Sequence, residues 1–196
     1  MIVVSTLVEP IILASASPRR RELLSQAGVR FTISVPGCDE TPISGESAEQ
    51  MVQRLAVMKA SAIAKHNPAS FVIGADTTVY IGGESLGKPA SVEEACQMLD
   101  KIQGKTHEVW GGIAIVHQER QLVDSWTHVT SVTMRPMTRA IIEEYVATGE
   151  PMDKAGSYAI QGIGLQFVES IQGSYSNVVG LNIASVMEKL RELECR

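Results

Sequence analysis

Ile11-Ile12-Leu13-Ala14-Ser15-Ala16-Ser17-Pro18-Arg19-Arg20-Arg21-Glu22-Leu23-Leu24 is the stretch on which the reading of the fold turns. Its first four residues form an apolar run with the length of a short buried strand. Ser17 followed by Pro18 has the form of a helix N-cap and first helical position. A strand that passes so quickly into a helix opens an α/β chain. The first turn of that helix carries Arg19, Arg20 and Arg21, where the positive end of the helix dipole favours acidic side chains. Backbone N–H groups, serine hydroxyls and guanidinium groups converging there favour an anion, most of all a phosphate chain.

Outward from this turn, the pattern predicts a second strand over residues 30–35 and a loop over 36–46 containing Asp39-Glu40-Thr41-Pro42. Ser47-Ala48-Glu49-Gln50 has the form of a capping box, with a helix running on to about His66. Residues 71–75 read as a buried strand ending at Asp76, and residues 78–81 before Gly82-Gly83 as a hairpin arm. Ala95, Met98, Leu99 and Ile102 share one face of a helix over 91–102. Two long strands follow from Thr106 on, one over His107–Val116 and one from Leu122 to Met134, with a turn over 118–121. Thr138 caps a helix reaching Ala147, residues 165–171 form a strand in a glycine-rich region, and a last helix covers about 181–193. Hairpin strands among helical connections predict a mixed sheet. No repeat or linker divides the 196 residues, so a single domain over 1–196 is expected.

Composition narrows the function classes. Hydrophobic residues make up 44% of the chain and charged residues 20%, which is ordinary for a globular core. A net charge of −5 argues against a general nucleic-acid surface, so an anion site would be a local basic pocket. The apolar runs are too short for a membrane span, and Met1–Thr6 lacks the basic start of a signal peptide. Cys38, Cys96 and Cys195 are few, distant and odd in number, which fits a reduced, cytoplasmic setting better than a disulfide framework. His66, His107, His117 and His128 show no metal-ligand spacing.

Several residues could carry chemistry. Asp76 lies where an apolar strand gives out, a common ligand position in α/β sheets, and reads equally as a turn aspartate. Thr77 could line the same opening. Lys59 interrupts the apolar helical face of Val52, Ala56 and Ile63, as a cation reaching into a cleft or as a lysine snorkelling at its edge. Lys88, before Pro89, points at the same anion or stands on the surface. Glu40 beside Asp39 suits a hard cation or a solvated loop edge. The Gln161 amide carries both a donor and an acceptor, as reading a base edge requires. The chain lacks a GxxxxGK[ST] loop, a post-strand GxGxxG, a GxSxG elbow and an HExxH pair.

In order, Ser15-Ala16-Ser17-Pro18-Arg19-Arg20, Asp39-Glu40-Thr41, Arg54-Leu55-Ala56 with Lys59-Ala60, Gly74-Ala75-Asp76-Thr77, Gly87-Lys88-Pro89, Asp153-Lys154-Ala155-Gly156-Ser157-Tyr158 and Ile160-Gln161-Gly162 resemble the Maf family of nucleoside triphosphate pyrophosphatases. The resemblance covers the whole chain. It implies an elongated mixed sheet flanked by helices, in two lobes with a central cleft, similar to inosine triphosphate pyrophosphatases. It implies cleavage between the α and β phosphates to a monophosphate and pyrophosphate, with Mg²⁺ or Mn²⁺. Arg19, Thr77 and Gln161 match the branch acting on dTTP and UTP, whose substrates extend to modified pyrimidine nucleotides. The 7-methyl-GTP branch has tryptophan, glutamine and glutamate there. The resemblance further implies Asp76 as general base, Glu40 and Asp76 as metal carboxylates, and Ser15, Arg20, Lys59 and Lys88 on the triphosphate. The partner implied is the nucleotide, with no nucleic acid or membrane, and a homodimer is left open. A nucleotide-sensing regulator of cell division without turnover is the competing reading.

Overall fold

The computed structural model describes residues 9–194, so the readings made on Met1–Thr6 and Cys195 lie outside the described residues. The strands are β1 (Ile11–Ala14), β2 (Thr32–Ile33), β3 (Phe71–Ile81), β4 (Glu84–Leu86), β5 (Thr106–His117), β6 (Leu122–Met134) and β7 (Val168–Gln172). The helices are α1 (Pro18–Gln26), α2 (Ala48–Ala64), α3 (Val92–Ile102), α4 (Arg139–Ala147), α5 (Tyr175–Val179) and α6 (Ile183–Glu194). Hydrogen bonding orders the sheet β2-β1-β3-β5-β6-β7, with β4 also on β3. β1 runs parallel to β2 and β3, whereas β4 runs antiparallel to β3 and β7 to β6, so the sheet is mixed as expected.

The chain divides into two compact units. The first takes the described residues up to Asp76, then Gly111–His128 and the residues from Gly180 on; the second takes Thr77–Trp110 and Val129–Val179. In the first unit, strand alternation sorts β3 onto two faces. Phe71, Ile73 and Ala75 pack with Leu13, Leu24 and Leu181, while Val72 packs with Ile12, Ala56 and Ala60 of α2. Gly74 and Asp76 share the parity of Val72 and face α2. There α2 touches main chain directly. A Cβ on Gly74 would overlap the Ala56 carbonyl oxygen and lie 2.8 Å from Ala60 N, and one on Gly112 would overlap the Val52 carbonyl. The capping box that starts α2 is present, with Ser47 Oγ accepting from Gln50 N–H and Gln50 Oε1 accepting from Ser47 N–H.

Three expectations need correction. Asp76 does not end a strand: β3 continues to Ile81, because antiparallel pairing of Val79 with Leu86 and Ile81 with Glu84 carries the backbone ladder past the polar residues. What ends near Asp76 is the parallel pairing with β1, whose last partners are Ala14 and Gly74. The strand expected over 30–35 shrinks to Thr32–Ile33, since four-residue β1 offers it only Ile12 and Leu13 as partners. The strand expected from 165 begins at Val168, after 3-10 turns over Gly162–Phe167. The short α5 had no expectation.

In the second unit, Ala95, Met98, Leu99 and Ile102 of α3 bury against Val109, Val132, Ile142 and Tyr145. His107 is 2% exposed and its Nε2 lies 2.8 Å from the Tyr158 hydroxyl. Burial pushes His107 down to about 4 from 6.5. The unfolded chain therefore binds the His107 proton at higher pH than the native chain. This stability contribution is complete above about pH 6.5 and is lost as pH falls toward 4, a difference on the order of 3 kcal/mol. A His107→Gln chain is expected to show a flatter melting temperature between those pH values; a slope identical to the parent's would remove His107 from its acid sensitivity.

Candidate active site

The first unit assembles a charged cluster around Lys59. The ammonium is 2.7 Å from Asp76 Oδ1 and 2.7 Å from Glu40 Oε2. Lys59 is 6% and Asp76 9% exposed, while the Glu40 side chain is 53% exposed. The positions follow from local periodicity. Asp76 lies two residues past Gly74 on the strand face that α2 touches, and Lys59 lies one turn beyond Ala56, which overhangs Gly74. An unpaired ammonium or carboxylate in this place would be strongly disfavoured, so each charge is held by its neighbours. Asp76 Oδ1 is taken by Lys59, whereas Oδ2 accepts no hydrogen bond among the described residues.

Glu40 comes from the loop over 36–46, and a clasp that sequence reading left without a role braces that loop. Arg54 of α2 grips Glu46 with two charge-assisted bonds of 2.6 and 2.7 Å and donates to the Thr41 carbonyl at 3.4 Å. The Arg54 hydrogen bond holds Glu46 below the usual carboxylate range. Thr41 in turn donates its hydroxyl and its N–H to Asp39. In the sequence Arg54 stands four positions past the capping box, with nothing local to give it a partner.

At the serine–arginine turn, much of the hydrogen bonding is internal. Ser17 Oγ accepts from Arg20 N–H, and Ser15 Oγ accepts from Ser17 N–H at 3.1 Å. The Arg20 guanidinium donates through Nε to the Gly180 carbonyl at 2.8 Å and through Nη1 to the Ala75 carbonyl at 2.9 Å, with a longer bond to Ser15 Oγ. It thus ties α1 to the residue preceding Asp76. Burial lowers its pKa, against the pull of Asp76 and Glu40. Arg19 is half-buried on the same turn.

The structure brings together Ser15, Arg20, Glu40, Lys59 and Asp76 in the first unit. Thr77, Lys88 and Gln161 belong to the second. Thr77 is partly buried on β3; Lys88 is exposed after β4 and makes no ion pair among the described residues. The Gly87 carbonyl before it accepts from Gly156 N–H, and Gly156 lies against Val79 so closely that a Cβ would be 2.7 Å from its Cγ2. Gln161 is half-buried with extended backbone, φ −119°. Among the described residues no three His, Cys, Asp or Glu side chains converge as a metal cage.

Residues 10–193 match the family model described as Maf-like protein. The chain belongs to the Maf family. Relatives of this Maf chain include a Desulforamulus reducens protein, 47% identical over 94% of this chain and 96% of its own length. Another, from Myxococcus xanthus, is 48% identical over 92% of this chain and 90% of its own. Both are named dTTP/UTP pyrophosphatase. The structure of the Staphylococcus aureus Ham1 protein matches with a TM-score of 0.54 and 15% identity, covering 95% of this Maf chain and all of that one. That likeness bears on the mixed α/β fold alone. No helix among the described residues is long and apolar enough to cross a membrane.

Proposed function

We propose that this Maf chain is a nucleoside triphosphate pyrophosphatase that hydrolyses dTTP and UTP to the monophosphate and pyrophosphate. The observation that carries the chemistry is Asp76, anchored through Oδ1 by Lys59 and with Oδ2 uncommitted. A carboxylate so oriented takes a proton from water as that water attacks the α-phosphorus. The bond from that phosphorus to the bridging oxygen of the β-phosphate breaks, and pyrophosphate leaves. Charge builds on the phosphate oxygens as this happens, and fixed cations lower its cost. Lys59, Arg20 and Lys88 are the cations assigned to that task, with Ser15 as a hydroxyl partner.

Glu40 and Asp76 also fit a divalent cation. Each gives one oxygen to the Lys59 ammonium at 2.7 Å, which brings the two carboxylates together with their second oxygens unspent among the described residues, and the exposure of Glu40 opens them to solvent. Mg²⁺ and Mn²⁺ suit one or two protein carboxylates with phosphate oxygens and water completing the shell. When bound, such an ion supplies charge neutralisation on the phosphates. Arg19, Thr77 and Gln161 are assigned to selecting the pyrimidine, by family resemblance, and residues 1–196 to a single domain of this family.

Purified protein with Mg²⁺ or Mn²⁺ is expected to release pyrophosphate from dTTP and UTP faster than from dATP, dGTP, dCTP or 7-methyl-GTP. Binding of dTTP without any pyrophosphate release would replace this reading with that of a nucleotide sensor.

A further inference from the structure

Around Gln161 the second unit builds a framework that the proposed chemistry does not use. Tyr145 of α4 is 2% exposed. Its hydroxyl donates to Glu150 Oε1 at 2.8 Å and accepts from Ala159 N–H at 3.2 Å. Glu150 then accepts from Ile163 N–H at 2.9 Å and from Gly164 N–H at 2.8 Å. One phenol and one carboxylate thus fix the main chain two residues before Gln161 and two and three residues after it.

The glycines of the loop are fitted to the same two side chains. A Cβ on Gly162, whose φ is +71°, would stand 2.5 Å from Glu150 Oε2, and one on Gly164 would overlap the Tyr145 hydroxyl. The loop therefore lies directly on the pair, with no side chain between. Burial works to raise the Glu150 pKa, but the Ile163, Gly164 and Tyr145 hydrogen bonds outweigh it, so the group stays ionised and accepts all three bonds. Between these anchors the Gln161 amide is half-buried and makes no hydrogen bond to the protein among the described residues. Its flanks are held and its donor and acceptor are unspent, the arrangement of a group reserved for a ligand.

We infer that Tyr145 and Glu150 are positioning residues for nucleotide selectivity, acting through Gln161 by holding residues 159–164 in one conformation. This rests on the reading of Gln161 as a base-facing residue. The pair's hydrogen bonds to the loop all go to main chain, so it acts on how well the amide is pre-placed, and their loss should weaken binding rather than the chemical step.

The test measures kcat and KM for dTTP, UTP, dCTP and dGTP on the parent, Tyr145→Phe, Glu150→Gln, Gln161→Ala and the Tyr145→Phe/Gln161→Ala double variant, each checked for native circular dichroism. Tyr145→Phe keeps the ring in the core and deletes only the hydroxyl, and Glu150→Gln keeps the shape and one acceptor. Each is expected to raise KM for dTTP by roughly five- to tenfold, with kcat within about twofold, and to narrow the kcat/KM preference for dTTP over dCTP. In the Gln161→Ala background, Tyr145→Phe should narrow that preference no further. If Gln161→Ala changes the preference and neither Tyr145→Phe nor Glu150→Gln does, the positioning role is overturned while the base-reading role stands. An equal loss from Tyr145→Phe with and without Gln161 overturns it as well. If Gln161→Ala leaves the preference intact, the base-reading assignment itself fails and the positioning claim falls with it.

Discussion

Asp76→Asn is expected to lower pyrophosphate release from dTTP by about 10³–10⁴-fold while leaving the fold intact. The amide has nearly the shape of the carboxylate, and its oxygen can still accept from the Lys59 ammonium, which lies 2.7 Å from Asp76 Oδ1 in the parent. What the variant lacks is a basic oxygen at the Oδ2 position. Stability should therefore change little and turnover greatly, which separates this carboxylate from a structural one. With Mg²⁺ saturating, so that the weakened cation site is filled, KM for dTTP should move by a smaller factor than kcat, because Arg20, Lys59, Lys88 and Glu40 are unchanged. Steady-state kinetics with a coupled pyrophosphate assay, alongside a melting curve, checks both halves. Turnover within tenfold of the parent would mean that another group removes the proton.

The largest stability effect is expected from a single methyl group. In Gly112→Ala the new Cβ would overlap the carbonyl of Val52 and come within 2.8 Å of Gln53 N. These are main-chain atoms inside α2, so no rotamer change relieves the clash. Either β5 or the helix must shift, and the helix is held a second time at Gly74 by Ala56 and Ala60. The cost should exceed about 4 kcal/mol, the range reached only by substitutions of this kind. Set against a total of roughly 5–15 kcal/mol for a domain, that leaves much of the chain unfolded at 37 °C. Gly37→Ala is the matched control, since a Cβ there meets nothing within 4 Å. Chemical denaturation of the two variants beside the parent decides the matter: a Gly112→Ala midpoint close to that of Gly37→Ala would show that α2 does not rest on this strand.

Much of this was legible in the sequence because it is written in short-range patterns. The Ser17 and Ser47 caps, the edges of β5 and β6 and the buried face of α3 all follow from one or two turns of periodicity. The misreadings share one cause, which is pairing with distant chain. Asp76 and Thr77 look like the end of a strand locally, and pairing with distant chain, β4 closing back on Val79 and Ile81 among it, keeps β3 going. At the candidate site, Lys59 was visible as a charge on an apolar stripe, but its two carboxylate partners sit 19 and 17 residues away. The Arg54–Glu46 clasp and the Tyr145–Glu150 pair left no local trace beyond their residue types.

The Lys59 trio also bears on the traffic of nucleotides into the site. Two carboxylates around one ammonium carry one net negative charge, which Arg20, close enough to feel both Asp76 and Glu40, only balances, on a chain that is itself −5. A polyanion approaching from a distance meets the overall negative field of the chain first, and gains only once it is close to Arg20 or brings a cation with it. Encounter is therefore slower than for a basic nucleotide binder, and it quickens as salt screens the repulsion. The same repulsion grows with the length and charge of the visitor.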